Sequence, residues 1–284
     1  TGAFGQLGHA LQSVLSRKSN YELICTGRKI KKGQEGIPLD IRNQVALKEI
    51  INTTAPDILI NLAAMTNVDA CELNPKLAGE INVAGLEHIC DSFKGKIIHL
   101  STDYVFDGTS GPYKEDDPLN PISIYGKTKL ASEHILLEKD IKNLVIRGNV
   151  LYDYSPHTSA SFLNWVVSSL KDNQEIKVVE DQFNNPTWTR SMSDIIELSI
   201  ENDLEGIIHW GDSEHISRFE FAKLIAKKFS LDESLIKPIL TSELNQPARR
   251  PLQSGLSTEK LVNMLDIIPP SIDDCLDEII KTIQ

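Results

Sequence analysis

Tyr125 and Lys129 stand four residues apart, so a helix would put both side chains on one face. There the Lys charge can lower the phenol's pKa from its usual value of about 10. Upstream, Ser101-Thr102-Asp103 offers a hydroxyl that can hold a carbonyl oxygen beside that phenol. These parts deliver a proton to a carbonyl oxygen while a nicotinamide delivers hydride to its carbon. Tyr-x-x-x-Lys alone also occurs on solvated helices, so the surrounding elements decide its meaning.

The chain opens on Gly2-Ala3-Phe4-Gly5-Gln6-Leu7-Gly8, followed by a helical stretch at 9–15. Glycines let the backbone turn tightly and approach a pyrophosphate at the positive N-terminus of a helix. Gly2 and Gly5 are thus cofactor candidates. Such a turn normally follows a buried strand, and a first strand is expected ahead of Thr1. The following strand leads to Arg28, with Lys29, Lys31 and Lys32 close behind, where an NAD-selecting acid would otherwise stand. A cation there suits an adenosine 2′-phosphate, making NADP(H) the preferred cofactor and NAD(H) the second choice. Asp40 and Ile41 are placed beside the adenine. Ala63, Ala64, Met65 and Thr66 close a strand with small side chains that leave room for the cofactor.

Short β-branched runs at 22–26, 57–63, 96–101 and 143–147 alternate with helical patterns at 45–52, 76–93 and 121–138. That alternation predicts an α/β fold, a doubly wound parallel sheet of Rossmann type with ligands at the strand ends. Beyond Tyr152, helices are expected at 159–171, 191–202, 218–229 and 272–283, with strands at 177–179 and 206–210. The division expected is a dinucleotide-binding domain over 1–150 and a smaller α/β substrate-binding lobe over 151–284, partly interleaved with it.

A length of 284 residues with 40% hydrophobic content supports such cores, and a net charge of −11 disfavours nucleic acid and anionic membranes as partners. Cys25, Cys71, Cys90 and Cys275 are scattered, which points to a reduced, cytoplasmic setting without a metal site. Nothing at the N-terminus reads as a signal peptide. Trp165, Trp188 and Trp210 are assigned to core or interlobe packing, and Asp69, Glu72 and Glu80 to a solvated helical face. Arg249 and Arg250, beside Pro251, form a candidate diphosphate clamp, with Arg190 as a further arm.

With these pieces in place the chain resembles the extended short-chain dehydrogenase/reductases, and more narrowly the dTDP-4-dehydrorhamnose reductase family. The resemblance rests on the residues 1–8 glycine turn, NLAAMTNVD (61–69), STDYVFDG (101–108), PYKE (112–115) and YGKTK (125–129). Gln182-Phe183, Pro186-Thr187 and Ala248-Arg249-Arg250-Pro251 extend it over nearly the whole chain. It implies a catalytic trio of Thr102, Tyr125 and Lys129. It implies cofactor contacts from Gly5, Gln6, Leu7, Asp40, Ile41, Ala64, Met65, Thr66, Tyr125 and Lys129, and sugar contacts from Thr102 and Asp103. The implied reaction is reduction of the C4 ketone of a dTDP-linked 6-deoxyhexulose to dTDP-L-rhamnose. Many members carry a substrate-contacting Trp within Arg-Thr-Ser-Trp-Val-Tyr; here Arg147-Gly148-Asn149-Val150-Leu151-Tyr152 puts Val150 in its place, which leaves the sugar open. A nucleotide-sugar epimerase or 4,6-dehydratase on the same fold is a rival, although no Asp-Glu pair follows Thr102 as a dehydratase would want. A non-catalytic NADP-binding regulatory subunit, similar to the methionine adenosyltransferase β-subunit, is the rival of another class. A nucleotide sugar is the expected partner, with a homodimer left open.

Overall fold

β-branched runs buried on both faces are stable only in a parallel sheet covered by helices on either side. The computed structural model describes residues 1–139, 141–154 and 161–283. The chain begins with α1 (Gln6–Leu15), β1 (Thr26–Gly27), β2 (Ile37–Pro38), α2 (Gln44–Thr54), β3 (Ile58–Asn61), α3 (Val68–Leu73) and α4 (Pro75–Gly79). A π-helical turn (Glu80–Ala84) leads into α5 (Gly85–Ser92), β4 (Lys96–Thr102), α6 (Ile124–Leu137) and β5 (Asn143–Gly148). Then come β6 (Leu151–Tyr152), α7 (Phe162–Lys171), β7 (Ile176–Val179), β8 (Phe183–Asn184), β9 (Thr187–Trp188) and α8 (Thr189–Glu201). The chain continues through β10 (Gly206–His209), β11 (Ile216–Ser217), α9 (Arg218–Lys228), β12 (Ile236–Ile239), α10 (Glu259–Leu265) and α11 (Ile272–Ile283).

The main sheet is parallel, in the order β10-β5-β4-β3. Leu7 and Leu11 of α1 pack with Met192 and Ile195 of α8 in the core on one side, while Leu47, Ile51, Leu86 and Ile89 of α2 and α5 pack in the core on the other. β10 belongs to residues expected in the second lobe, yet it pairs with β5 from Gly206↔Leu144 to His209↔Arg147. A separate core gathers Tyr152, Leu163, Phe221, Ile225 and Leu276 around β7 paired with β12. The α/β architecture is therefore as expected, with the second half of the chain woven into the first sheet.

Several element bounds differ from expectation. The strand expected at 22–26 survives only as β1, which pairs with β2; an elongated cavity of about 610 Å³, lined by Leu11, Leu15, Ile24, Leu47, Leu59 and Ile60, lies between this stretch and β3. The Thr1 backbone nitrogen donates to the Ile60 carbonyl at 2.6 Å, and Leu62 N–H donates back to the Thr1 carbonyl, so residue 1 lies beside β3. The helix expected over 76–93 is interrupted by the π turn. The helix expected over 121–138 starts at Ile124, because the Ser123 hydroxyl accepts from Gly126 N–H at 3.2 Å and caps it. Ser161 caps α7 in the same way, and Ser159 and Ala160, expected to begin that helix, lie outside the described residues.

Candidate active site

β4 ends at Thr102, whose hydroxyl accepts from Tyr104 N–H at 3.3 Å and donates to the Asp103 carboxylate at 3.0 Å, starting a tight turn over 103–105. α6 crosses directly above that turn. A Cβ at Gly126 would lie 2.1 Å from the Tyr104 carbonyl oxygen, so only glycine permits the approach. The Glu72 carboxylate accepts from Ile124 N–H at 2.9 Å and ties the helix start to α3. Tyr125 consequently packs edge-on against Tyr104, with ring centroids 5.5 Å apart, and its phenol lies close to the Thr102 hydroxyl. The phenol and hydroxyl expected to share a carbonyl oxygen are thus brought together.

The electrostatics of the pair differ from expectation. Burial pushes the Tyr125 phenol above its ordinary value, the Thr102 hydrogen bond opposing this only in part. Lys129 lies one turn further along α6, but its Nζ donates to the Leu100 carbonyl at 2.7 Å and to His99 Nε2 at 3.0 Å. Its own pKa falls to about 8 through burial, and His99 is held neutral by burial and by that ammonium. The expected lowering of the phenol by Lys129 is therefore corrected: Tyr125 is a firmly protonated acid in this geometry.

Below the pair lies a charged core that the sequence did not announce. Arg147, 1% exposed, makes a bidentate ion pair with Glu133, its Nη2 2.7 Å from the carboxylate. Ser101 donates to the same carboxylate, and Arg147 Nη1 meets His209 Nε2 at 3.2 Å. Burial and the Arg147 charge bring His209 down to about 3, so its ring stays neutral and can accept that bond. The network joins β4, α6, β5 and β10 directly beneath Thr102 and Lys129.

The glycine turn is built to admit a phosphate. Gly2 has φ +72°, and a Cβ there would reach Ala63 N and Leu62 C at 2.7 Å, so the turn hugs the end of β3. Gly5 caps α1, whose first turn holds no acid, and the buried Gln6 amide nitrogen has no partner among the described residues. These features fit a dinucleotide's pyrophosphate at the helix start. Gln6 and Leu7 occupy the first turn of α1, and Ala63, Ala64, Met65 and Thr66 line the chain as it leaves β3. Asn82, in the π turn, accepts from Met65 N–H at 2.7 Å, donates to its carbonyl at 3.1 Å and donates to Thr128 at 3.0 Å. This residue, missed in the sequence, ties the 63–66 loop to α6; a polar side chain within a helix is the only sign it leaves. Arg28 is exposed near Asp40, whose carboxylate is lowered chiefly by its hydrogen bonds with Arg42, 2.7 Å away. Ile41 is buried in the core beside α2.

On the substrate side, Asp103 is buried and takes a hydrogen bond from Ser254 as well as from Thr102; burial raises it to about 6. Arg250 pairs with Asp69 at 2.8 Å and donates to the Ala248 carbonyl at 2.9 Å, so Asp69 is a buttress and not part of a solvated face. Glu72, the helix anchor, also leaves that face, while Glu80 meets only Arg42 at 3.7 Å. Arg249 is exposed, and Arg190 is held by Asp194 at 2.8 Å on the surface of α8. Trp210 is core, with its indole N–H on Ser191 at 2.7 Å, and Trp188 packs against the second core, but Trp165 is 40% exposed. Arg218, absent from the sequence expectations, reaches the neighbourhood of Asp103, Tyr104 and Arg250.

The RmlD substrate binding domain family matches residues 1–284. The chain belongs to this family. Among its relatives, dTDP-4-dehydrorhamnose reductase of Aggregatibacter actinomycetemcomitans is 30% identical, covering 95% of this chain and 93% of its own. Methionine adenosyltransferase 2 subunit beta of Xenopus laevis is 31% identical over 93% of this chain and 81% of its own. The crystal structure of dTDP-4-dehydrorhamnose reductase from Bacillus anthracis in complex with NADP superposes with a TM-score of 0.86 at 29% identity, covering 99% of this chain and 97% of that one. Val150 adopts φ +29°, an unusual backbone for a β-branched residue, between β5 and β6.

Proposed function

We propose that this RmlD-family protein is an NADP(H)-dependent reductase of the C4 ketone of a nucleotide-linked deoxyhexulose, with dTDP-4-dehydrorhamnose as the first substrate to test. The observation that carries the reading is the meeting of a protonated Tyr125 with Thr102 at the end of β4, above Lys129. Its family membership and the NADP-bound relative support it. The cofactor would be held by the α1 turn (Gly2, Gly5, Gln6, Leu7), Asp40, Ile41 and residues 63–66, with Arg28 at the adenosine end. When bound, the reduced nicotinamide supplies hydride. Thr102 would orient the ketone oxygen by turning its one hydroxyl proton from Asp103 to that oxygen, and Tyr125 would deliver the proton to it as general acid. Lys129, which donates to the Leu100 carbonyl and His99, would turn to hold the nicotinamide ribose. Asp103 holds the Thr102 hydroxyl until the ketone oxygen takes its place.

Residues 1–150 are assigned to cofactor binding and 151–284 mainly to the substrate, apart from α8 and β10, which complete the first unit. No helix among the described residues is long and apolar enough to cross a membrane, and the described cysteines are all free thiols, which suits a cytoplasmic enzyme. Incubation with NADPH and a panel of nucleotide-4-ketosugars tests the reading through absorbance at the reduced-nicotinamide band. Oxidation dependent on the sugar is expected. Tight NADPH binding with no turnover on any member would instead favour the regulatory-subunit reading that the Xenopus relative suggests.

Cofactor choice is tested separately. NADPH is expected to bind more tightly than NADH, and Arg28→Ala should narrow that gap by about tenfold by removing one charge-assisted phosphate contact. Equal affinities in the unaltered protein would remove Arg28 from the site.

A further inference from the structure

Ser254 lies 151 residues beyond Asp103 in the chain, yet its hydroxyl donates to the Asp103 carboxylate, and each residue is 1% exposed. The other carboxylate oxygen accepts from Thr102 at 3.0 Å. Two hydroxyl donors thus converge on one buried carboxylate, beside the residue that must hold the ketone oxygen. The segment around Ser254 is already fixed without its side chain. Ser254 N–H donates to the Phe183 carbonyl at 3.0 Å, and the Ser254 carbonyl accepts from His215 Nε2 at 2.7 Å. On either side, Gln253 N–H donates to the Gly108 carbonyl at 2.7 Å and Tyr113 N–H to the Gly255 carbonyl at 2.9 Å. A Cβ at Gly111 would meet the Ser254 carbonyl oxygen at 2.4 Å, so only glycine lets the loop after β4 press this close. Backbone bonds therefore seat residues 253–255 between that loop and β8, and the Ser254 hydroxyl is left for Asp103.

Thr102 has a single hydroxyl proton, and in the proposed reaction that proton leaves Asp103 for the ketone oxygen. A buried carboxylate that loses a donor costs free energy unless another donor stays. Ser254 is that donor. We propose that Ser254 is a positioning residue for the reduction: its hydroxyl keeps Asp103 satisfied and in place, so that Thr102 can turn its proton to the ketone oxygen. This rests on the reductase reading. The Thr102 bond strengthens as negative charge builds on the ketone oxygen, so the benefit falls on the transition state more than on substrate binding. Without the Ser254 hydroxyl, only Thr102 remains of the two donors, and Asp103 and the ketone compete for one proton. The second half of the chain thereby acts on the reacting centre through Asp103, with no contact to the substrate.

The test is steady-state kinetics with the ketosugar that the unaltered protein reduces fastest, beside NADPH fluorescence titration. Ser254→Ala is expected to lower kcat by about tenfold, the scale of one hydrogen bond to a charged group, with KM and NADPH affinity within about twofold. Asp103→Asn keeps the shape and removes the charge that makes the bond strong. Adding Ser254→Ala to Asp103→Asn is then expected to cost no more than about threefold, because the hydroxyl acts through that charge. Equal losses in the two backgrounds overturn the proposal, since a hydroxyl that merely filled space would give them. Should Asp103→Asn lack turnover, Ser254→Thr is the second variant. It keeps the hydroxyl, so kcat within about threefold of the unaltered protein is expected, and a loss equal to that of Ser254→Ala overturns the proposal. An unchanged kcat in Ser254→Ala also overturns it, as does loss of NADPH binding in that variant. The two readings fail differently. A protein that reduces a ketosugar equally well with Ser254→Ala keeps the reductase reading and loses the positioning role. An unaltered protein that oxidises NADPH with no ketosugar removes both.

Discussion

Tyr125→Phe is expected to lower ketosugar reduction by about 10²–10⁴-fold, the usual contribution of a positioned general acid, while NADPH binding stays close to that of the unaltered protein. The substitution removes one hydroxyl and keeps the ring that packs against Tyr104 at 5.5 Å. The side chains proposed to hold the cofactor, in the α1 turn and at 63–66, are unaltered by the substitution. Because burial raises the phenol's pKa, the proton is present throughout the neutral range and no separate step is needed to load it. The paired measurement is stopped-flow NADPH oxidation and NADPH fluorescence titration. A variant that turns over at a near-normal rate would take Tyr125 out of the mechanism, and one that loses NADPH binding would assign it a structural duty instead.

The second large effect is on stability. Arg147→Met is expected to destabilise the fold by about 3–5 kcal/mol, the range for removing one partner of a buried ion pair. In a chain of this size that corresponds to a fall in Tm of roughly 5–8 °C. The methionine fills much of the space but leaves the Glu133 carboxylate, itself 1% exposed, with only the Ser101 hydroxyl among its present partners. His209 and the Glu115 carbonyl also lose the donor they face. Thermal unfolding followed by circular dichroism reads the change directly. A Tm within a degree or two of the parent would mean that the network relaxes around the loss. The double variant Glu133→Leu with Arg147→Met should recover much of the stability, since apolar replacement of a whole buried pair is often close to neutral.

This network shows where sequence reasoning stops. Arg147 closes the apolar run Asn143–Gly148 and looks, in one dimension, like the charged end of a strand. Its partner Glu133 sits four residues beyond Lys129 on α6 and looks like an exposed helical acid. Only the placement of β5 beside β4, with α6 across both, makes them a buried pair. Asp69 and Arg250 are likewise far apart in the chain, and their contact turns an expected solvated face into support for the segment at 248–250. The exposure of Trp165 has the same origin, since the periodicity of α7 did not say which side would meet the second core.

Much of the chemistry was legible earlier because it is local. The glycine turn requires backbone freedom that glycine alone gives at Gly2, and the Tyr125–Lys129 spacing is a property of one helix. Alternating apolar runs and helical periods specify a parallel α/β sheet, since no other arrangement hides such strands on both faces. What the tertiary structure decided is long-range: β10 joining the first sheet, Asn82 tying the cofactor loop to α6, Arg218 approaching Asp103, and Lys129 turning to His99 and Leu100. The tertiary structure also set the state of Tyr125. A pattern of types can name an acid, but its pKa depends on desolvation and neighbours that meet only when the chain has folded.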